Sequence, residues 1–213
     1  MYLSRVELDT ESRNTIMALV SPQKLHGAIE SAFNGERRRR LWRIDKLGNK
    51  LYVLIVSEDE PVLDGIVSQF GNGNAGEIRS YDALLNRLKA GSIWHFRLTA
   101  NPTKGARDKN DPMARGVVTA HCSEHYQKKW LSDRAEKHGF SLTDDDFMVT
   151  ETKWLHFRKR GSRPVTLLSV TYEGTLIITD PEMFSKILCE GIGRGKAYGL
   201  GMMTVIRGGE NGV

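Results

Sequence analysis

The segment GIGRGKAYGLGMM at 191–203 combines bare backbone with positive charge. It holds five glycines within eleven residues, and Arg194, Lys196 and Tyr198 lie between them. Glycine leaves backbone N–H groups uncovered, so such a loop can approach a phosphate chain closely. The alternative is a purely structural role, as a glycine-rich helix cap and turn that packs against a sheet. The residues alone leave both interpretations open.

The spacing of these glycines fits neither of two common nucleotide-binding motifs. A dinucleotide-binding fingerprint requires G-x-G-x-x-G, but its sixth position is Lys196 when counted from Gly191 and Tyr198 when counted from Gly193. A P-loop requires a glycine five residues before its Gly-Lys pair, and Glu190 holds that position. We therefore expect no nucleotide cofactor, and the sequence indicates no other cofactor.

Positive charge gathers in three separate clusters, within a net charge of +5. Residues 37–40 are four consecutive arginines, residues 153–163 carry five cations and no acid, and the glycine segment is followed by Arg207. Separated basic clusters favour a polyanionic partner. Ordinary solvated surface charge is the alternative, and clustering alone does not decide between them.

Among the six histidines, His26 is a candidate for proton transfer. The imidazole pKa of about 6.5 allows it to give or take a proton near neutrality. His26 follows Leu25 and so lies about 100° round the predicted helix from it, at the edge of the buried stripe. A lone histidine at such an edge is more often structural, so the position alone does not establish catalysis.

Two other groups of residues resemble metal sites only superficially. His121, Cys122 and His125 lie close together, but their spacing across a strand end and a helix start matches no standard zinc pattern. The acidic run at 144–146 is more typical of a solvated turn. We therefore predict no metal site.

Hydrophobic patterns predict two successive β-α-β-β-α-β units. The first has strands at 2–8, 41–45, 51–56 and 93–100, and helices at 21–33 and 81–88. The second has strands at 117–120, 147–157, 165–178 and 202–206, and helices that begin at Ser123 and at Asp180. This order predicts an α+β fold of tandem ferredoxin-like (βαββαβ) domains with a C-terminal glycine-rich loop.

The polar segment NPTKGARDKNDPMAR at 101–115 predicts the division between the two domains. We place the N-terminal domain at 1–104, a linker at 105–115 and the C-terminal domain at 116–213. The chain has no apolar stretch of membrane-spanning length, and its N-terminus does not have the pattern of a signal peptide. With two cysteines, too few for a disulfide framework, we expect a cytoplasmic protein with no membrane partner.

Five sequence features together resemble one known family. They are the opening MYLSRVEL, the helix SPQKLHGAI, the segment WHFRLTANPTK, a Trp-Leu helix before a basic hairpin, and the closing GIGRGKAYGLGMM. In this order they resemble the CasE family, the CRISPR repeat-processing endoribonuclease of the type I-E Cascade complex, within the wider repeat-associated (RAMP) group. The resemblance spans essentially the whole chain.

The resemblance implies a concrete activity. Members of the family have tandem ferredoxin-like domains, bind the hairpin of each CRISPR repeat in precursor RNA, and cleave it at the 3′ base of the stem without a metal. The product stays bound, and the protein remains beside the other Cascade subunits. The expected partners are therefore CRISPR repeat hairpin RNA and those subunits.

The resemblance also assigns roles to residues. His26 matches the catalytic position, and Lys159 in the basic hairpin is the expected cation at the cleavage point. Where the family has a tyrosine three residues before this histidine, the chain has Gln23, which cannot serve as a proton-transfer phenol. The expected RNA contacts are Gln23, Arg38, Arg40, Arg43, Lys104, Arg158, Arg160, Arg163, Gly193, Arg194, Gly195 and Lys196.

Two other functions remain open on the sequence. In the first, the chain is a non-catalytic RNA-binding subunit of the same kind of assembly, and His26 is structural. In the second, it is a metabolic protein that uses the glycine segment for a small anion. Trp42 and Tyr198 could stack on an unpaired base, although core packing is the commoner role for each.

Overall fold

The computed structural model describes residues 1–36, 38–106, 116–158, 161 and 163–208. Its first sheet is antiparallel, with the strand order β2-β3-β1-β4 of a ferredoxin-like unit. These strands are β1 (Tyr2–Glu7), β2 (Leu41–Leu47), β3 (Lys50–Ser57) and β4 (Glu77–Ser80). The helices of this unit are α1 (Arg13–Val20), α2 (Pro22–Ser31) and α3 (Asp64–Phe70), and the short helix α4 (Asp82–Leu85) follows.

The second sheet repeats this order as β11-β5-β10-β8, with β9 also paired to β10. Its strands are β5 (Ile93–Ala100), β8 (Phe140–Ser141), β9 (Phe147–Arg158), β10 (Pro164–Ile178) and β11 (Met202–Arg207). The helices of the second unit are α5 (Glu124–Ala135) and α6 (Pro181–Glu190). A separate two-stranded hairpin of β6 (Thr103–Ala106) and β7 (Val117–Ala120) lies between β5 and α5. The prediction of tandem ferredoxin-like units is confirmed.

Two strands do not have the places that the sequence predicted. β5 pairs with β10 and β11 in the second sheet, so its assignment to the first sheet was wrong. The true fourth strand of the first unit is β4, whose sequence EIRS has one half-buried residue and no hydrophobic alternation. Likewise, among the strands that the structure describes, β7 pairs with β6 and does not open the second sheet. The second unit therefore begins at β5, ahead of the predicted division at 104, and residues 107–115 of the predicted linker lie outside the described residues.

The two faces of the first sheet have different neighbours. On one face, Val6, Trp42, Val53 and Ile55 pack against the apolar stripes of its own helices. On the other face, residues such as Leu41 belong to the core of the second unit. Within the described residues, none of the helices combines the length and the hydropathy that crossing a bilayer demands.

A buried arginine of β2 joins the two sheets. The Arg43 side chain is 2% exposed and forms a two-bond ion pair with Asp45, at 2.7 Å from Nε and 2.6 Å from Nη2. Its Nη1 donates to the carbonyl oxygens of Arg97 and Met202, both at 2.8 Å, and its Nη2 donates to Thr204 Oγ1 at 2.7 Å. All five N–H donors of the guanidinium thus have acceptors. Because Arg43 offers neither exposed surface nor a free donor, its prediction as an RNA contact is wrong.

We expect the substitution Asp45→Ala to reduce the free energy of unfolding by about 3–5 kcal/mol, because it leaves the Arg43 charge buried without its counter-ion. Urea denaturation checks this value. Lys129→Ala is the control, because it breaks an exposed ion pair with Asp133 and should change stability by less than about 1 kcal/mol. Equal losses in the two variants would show that Arg43 does not depend on Asp45.

Candidate active site

An open cleft of about 310 Å³ collects candidate residues from three parts of the chain. Helix α2 contributes His26 and Glu30, the arginine cluster forms one wall, and the glycine segment forms the other. The lining residues are His26, Glu30, Arg38, Arg39, Arg40, Lys196 and Ala197. The cleft therefore places an imidazole from the first unit and an ammonium group from the second on the same surface.

The position of His26 follows from the pattern of α2. The helix begins with Pro22 at its first turn and buries Leu25, Ala28 and Ile29 against the sheet. His26 lies beside this stripe, and its side chain is 15% exposed. The prediction that His26 lies at the stripe edge is confirmed, because the ring packs partly and still faces the cleft.

A carboxylate adjoins the imidazole. Glu30 lies one helical turn after His26, and its Oε1 is 3.9 Å from His26 Nδ1. Residues four apart share a helix face, so this approach follows from the spacing. A carboxylate at this distance limits the orientations of the ring.

Arg40 holds Glu30 in place. Its Nη1 donates to Glu30 Oε2 at 3.0 Å, its Nη2 donates to the Glu36 carbonyl at 3.3 Å, and its guanidinium lies 4.2 Å from the centre of the Phe33 ring. The side chain is only 4% exposed. Arg40 also lines the cleft, where its charge acts on Glu30, and its contact with RNA stays a prediction.

The glycine segment is fixed at both ends and exposed at its tip. The backbone N–H of Ile192 donates to the Gly201 carbonyl at 2.8 Å, and the N–H of Gly201 donates to the Thr99 carbonyl in β5 at 2.6 Å. Between them the tip turns through a short 3₁₀ helix at Lys196–Tyr198. Both predicted interpretations of this segment thus describe part of it: its ends pack on the sheets, and its tip reaches the cleft.

Lys196 faces the cleft, and its surroundings disfavour the charge on its ammonium group. Burial lowers the pKa of its ammonium group, and the Arg39 guanidinium lowers this pKa further, while Glu190 acts in the opposite direction. Like charges that are held close together without full neutralisation attract an anion. A phosphate in the cleft would relieve this repulsion.

Gly199 allows the loop to lie directly on Trp42. Its φ is +79°, a backbone conformation that L-residues avoid, and a Cβ atom there would come within 2.9 Å of the Trp42 ring. Trp42 itself is 2% exposed and belongs to the core of the first unit. Core packing, the commoner role, therefore applies to Trp42, and its ring is not available to a base.

The basic hairpin of β9 and β10 adjoins the glycine segment. The Phe157 ring near the end of β9 packs on the Tyr198 ring, with 4.7 Å between their centroids. Arg158 and Arg163 beside the turn are exposed. Lys159 and Arg160, which the sequence analysis assigned to cleavage and to RNA contact, lie outside the described residues.

The structure separates the other predicted contacts. Gln23 lines a different hollow, together with residues of α1 and α3, and its contact with RNA stays a prediction. Arg38 lines the cleft and forms exposed ion pairs with Glu58 and Asp59 at 2.9 and 3.4 Å.

Three of the remaining candidates lie around the tip of the glycine segment. Gly193 and Arg194 are exposed, and Gly195 is half-buried. Lys104 is also exposed, but it lies on β6 rather than in the cleft. RNA contacts at these four residues, and at Arg158 and Arg163, stay predictions.

Sequence reasoning did not assign a role to Glu30 or Phe157, and it treated Arg39 only as one of a run of possible RNA contacts. The spacing of four residues from His26 was a usable signal for Glu30. No local signal distinguishes Arg39 from its neighbours in a run of arginines, because its role depends on Lys196, far along the chain. Phe157 carries only the strand pattern, which does not indicate what the ring will contact.

Comparison with known proteins gives a consistent result. The sequence model of a family described as CRISPR associated protein matches residues 1–207. The CRISPR-associated endoribonuclease Cse3 of Thermus thermophilus is 29% identical over 220 residues, which cover 96% of this chain and 99% of that protein.

Two solved structures are similar over almost their whole length. A CRISPR endoribonuclease Cse3 bound to 19 nt RNA has a TM-score of 0.80 and 26% identity, with coverage of 97% of this chain and 100% of that one. Thermus thermophilus Cse3 bound to an RNA representing a pre-cleavage complex has a TM-score of 0.79 and 25% identity, with coverage of 96% and 98%. The similarity therefore includes both units and the glycine segment.

We expect Gly199→Ala to lower the free energy of unfolding by about 2–4 kcal/mol, because the new methyl group meets Trp42 and the backbone must keep a left-handed conformation. Gly65→Ala in α3 is the matched control, since its Cβ would meet nothing within 4 Å and its φ is not positive. That control should raise stability, by up to about 1 kcal/mol. Chemical denaturation of both variants measures the difference, and similar values for the two would contradict the packing of the loop on Trp42.

Proposed function

Because the chain belongs to the CasE-type family of CRISPR-associated proteins, we propose that it is an endoribonuclease of CRISPR repeat RNA. It binds the hairpin of the repeat in the precursor transcript and cleaves at the 3′ base of the stem. The nucleophile is the 2′-hydroxyl of the RNA itself. The observation that carries this proposal is the cleft in which His26 and Lys196 face the same space.

This chemistry needs three groups around one phosphate. A base takes the proton of the 2′-hydroxyl, an acid supplies a proton to the departing 5′-oxygen, and a cation stabilises the charge that develops on phosphorus. His26 can exchange protons near neutrality, and Lys196 is a cation in the same cleft. Arg38 and Arg39 add positive charge on the opposite wall.

In the proposed step, the bond that forms and the bond that breaks both belong to the RNA. The 2′-oxygen bonds to phosphorus as its proton passes to the His26 imidazole, and the bond from phosphorus to the 5′-oxygen breaks. A proton from the imidazolium or from water then reaches the 5′-oxygen. The products are a 2′,3′-cyclic phosphate and a 5′-hydroxyl.

Glu30 and Arg40 act behind the imidazole as positioning residues. Glu30 adjoins Nδ1 of His26, and Arg40 fixes Glu30 from a nearly fully buried position. The opposite ring nitrogen, Nε2, is then the atom that would meet the RNA. Gln23 takes no part in this proposal, because it lines a different hollow.

We propose that the cleavage requires no metal ion. The nucleophile belongs to the substrate, and cations of the protein line the cleft in which we place the scissile phosphate. In other nucleases a metal ion generates a hydroxide as the nucleophile. The proposed reaction needs no such hydroxide.

The basic surface also favours retention of the product. Lys196, Arg38 and Arg39 would contact phosphates in the product as in the precursor, because cleavage does not remove the stem. We therefore propose that the protein keeps the processed RNA as a subunit of Cascade, in the cytoplasm where the transcript is made.

We expect His26→Ala to reduce the cleavage rate of a labelled repeat hairpin in EDTA by on the order of 10²-fold or more, because proton transfer loses its group. Hairpin binding should hardly change, since the ring is a small part of the contact surface. Single-turnover rates and filter-binding affinities separate the two effects. Unchanged cleavage would exclude His26 from the chemistry and favour a non-catalytic RNA-binding role for this surface.

We expect Lys196→Met to make the slope of log affinity against log salt concentration shallower by about 0.7–0.9, because one phosphate contact is lost. Lys186→Met on α6 is the control: Lys186 is exposed but does not line the cleft. Its slope should equal that of the unmodified protein. Equal slopes for all three proteins would mean that Lys196 does not meet a phosphate.

A further inference from the structure

The histidine-rich segment at 121–125 forms a cluster of rings at the start of α5, in which His125 is exposed and His121 is half-buried. The His121 ring stacks on Tyr126 with 5.8 Å between centroids and an angle of 27°, and His125 meets Tyr126 edge-on at 5.2 Å. Tyr126 is 55% exposed. Across the described ranges, no three His, Cys, Asp or Glu side chains come together as metal ligands would. The rings of His121, His125 and Tyr126, hereafter the ring cluster, lie outside the cleft, and those of His125 and Tyr126 are exposed.

Backbone contacts connect the ring cluster to the glycine segment. Asn101 forms an isolated β-bridge with Arg194 in the exposed tip of that segment. The next residue, Pro102, accepts a hydrogen bond at 2.9 Å from the backbone N–H of His121. Two adjacent residues, Asn101 and Pro102, therefore connect the tip of the glycine segment to His121 in the ring cluster.

Helix α5 makes a second connection. A Cβ atom on Gly193 would lie 3.0 Å from the Trp130 ring, so the tip packs on the helix that also carries Tyr126. Arg134 covers the same ring at 4.4 Å, and its Nη1 donates to the Trp130 carbonyl at 2.9 Å. The guanidinium of Arg134 is thus fixed on the Trp130 ring, which the tip also contacts.

Cations continue from the cleft to the ring cluster. The pKa of His138 is lowered by burial and then by Arg134 and Lys196. The pKa of His121 is lowered by burial and then by Lys104 and Arg134. Each cation therefore lies close enough to affect the next group.

Two acids of α5 bear on this charge. Glu124 lies beside His125 in the sequence, whereas Asp133 has the smallest of the effects on His121 and already pairs with Lys129 at 2.7 Å. Lys196, Arg134 and Lys104 supply positive charge between the cleft and the ring cluster.

We propose that the ring cluster binds an unpaired stretch of RNA that leaves the cleft across the tip of the glycine segment. This rests on the proposed function, because the stretch belongs to the RNA whose hairpin the cleft holds. Unpaired bases expose their faces and stack on aromatic rings irrespective of sequence, while nearby cations hold the phosphates. A paired stem cannot do this, since its bases already stack on one another.

The test compares a repeat hairpin with the same hairpin carrying a single-stranded extension on its 5′ or its 3′ side. A 2′-deoxyribose at the cleaved position prevents cleavage during binding. We expect one extension to raise the affinity of the unmodified protein by about tenfold, which is typical of stacked bases. Tyr126→Ala should abolish this gain and leave the affinity for the bare hairpin unchanged.

Tyr126→Phe is the matched control, because it keeps the ring and should keep the gain. Since Tyr126 is largely exposed, neither variant should change the melting temperature. His121→Ala should reduce the gain as well. The proposal is overturned if neither extension adds affinity, if the gain survives both alanine variants, or if poly-glutamate competes as well as single-stranded RNA, which would indicate an acidic protein partner.

Failure of the ring-cluster proposal can be distinguished from failure of the proposed function. Cleavage of the bare hairpin by Tyr126→Ala should match that of the unmodified protein. If the unmodified protein binds the hairpin but does not cleave it, the proposed chemistry fails while the effect of the extension can still be measured.

Discussion

The buried guanidinium of Arg43 sets the geometry on which the site depends. Its five donors meet acceptors from both sheets, so the two ferredoxin-like units are held in one register. Leu41 and Trp42 on the same strand pack against the two ends of the glycine segment, and Arg40 immediately before them fixes Glu30. A slip of β2 by one residue would reverse the faces of all these side chains. The start of β2 therefore contacts both the helix that carries the imidazole and the segment that carries the cation.

This arrangement divides the proposed chemistry between the two units. The first unit supplies His26 with its carboxylate, and the second supplies Lys196 on a loop whose glycines allow close packing against Trp42. Proton transfer and charge stabilisation both depend on groups held in position before the substrate arrives. Glycines near the ends of the loop allow it to pack closely against its neighbours. Glycines at the tip leave room for a phosphate chain to approach the backbone.

Much of the fold could be predicted from local patterns, and the failures have local causes. The Ser21-Pro22 start and the stripe through Leu25 gave α2 and the position of His26. The alternation in 93–100 gave a strand, but strand patterns do not identify the pairing partner, and polar β4 was too short to be recognised. The run at 37–40 and nearby Arg43 suggested a uniform basic surface. The burial of Arg40 and Arg43 depends on Glu30, Asp45 and carbonyl groups of the second sheet, which no local pattern reveals.

The central claim is that His26 moves the proton of a ribose hydroxyl that attacks its own phosphodiester. Its most direct test maps the ends of the fragments from a repeat hairpin that is cleaved in EDTA. We predict a 2′,3′-cyclic phosphate or a 3′-phosphate on one fragment and a 5′-hydroxyl on the other. A 3′-hydroxyl with a 5′-phosphate, or cleavage only after a metal is added, would contradict the account.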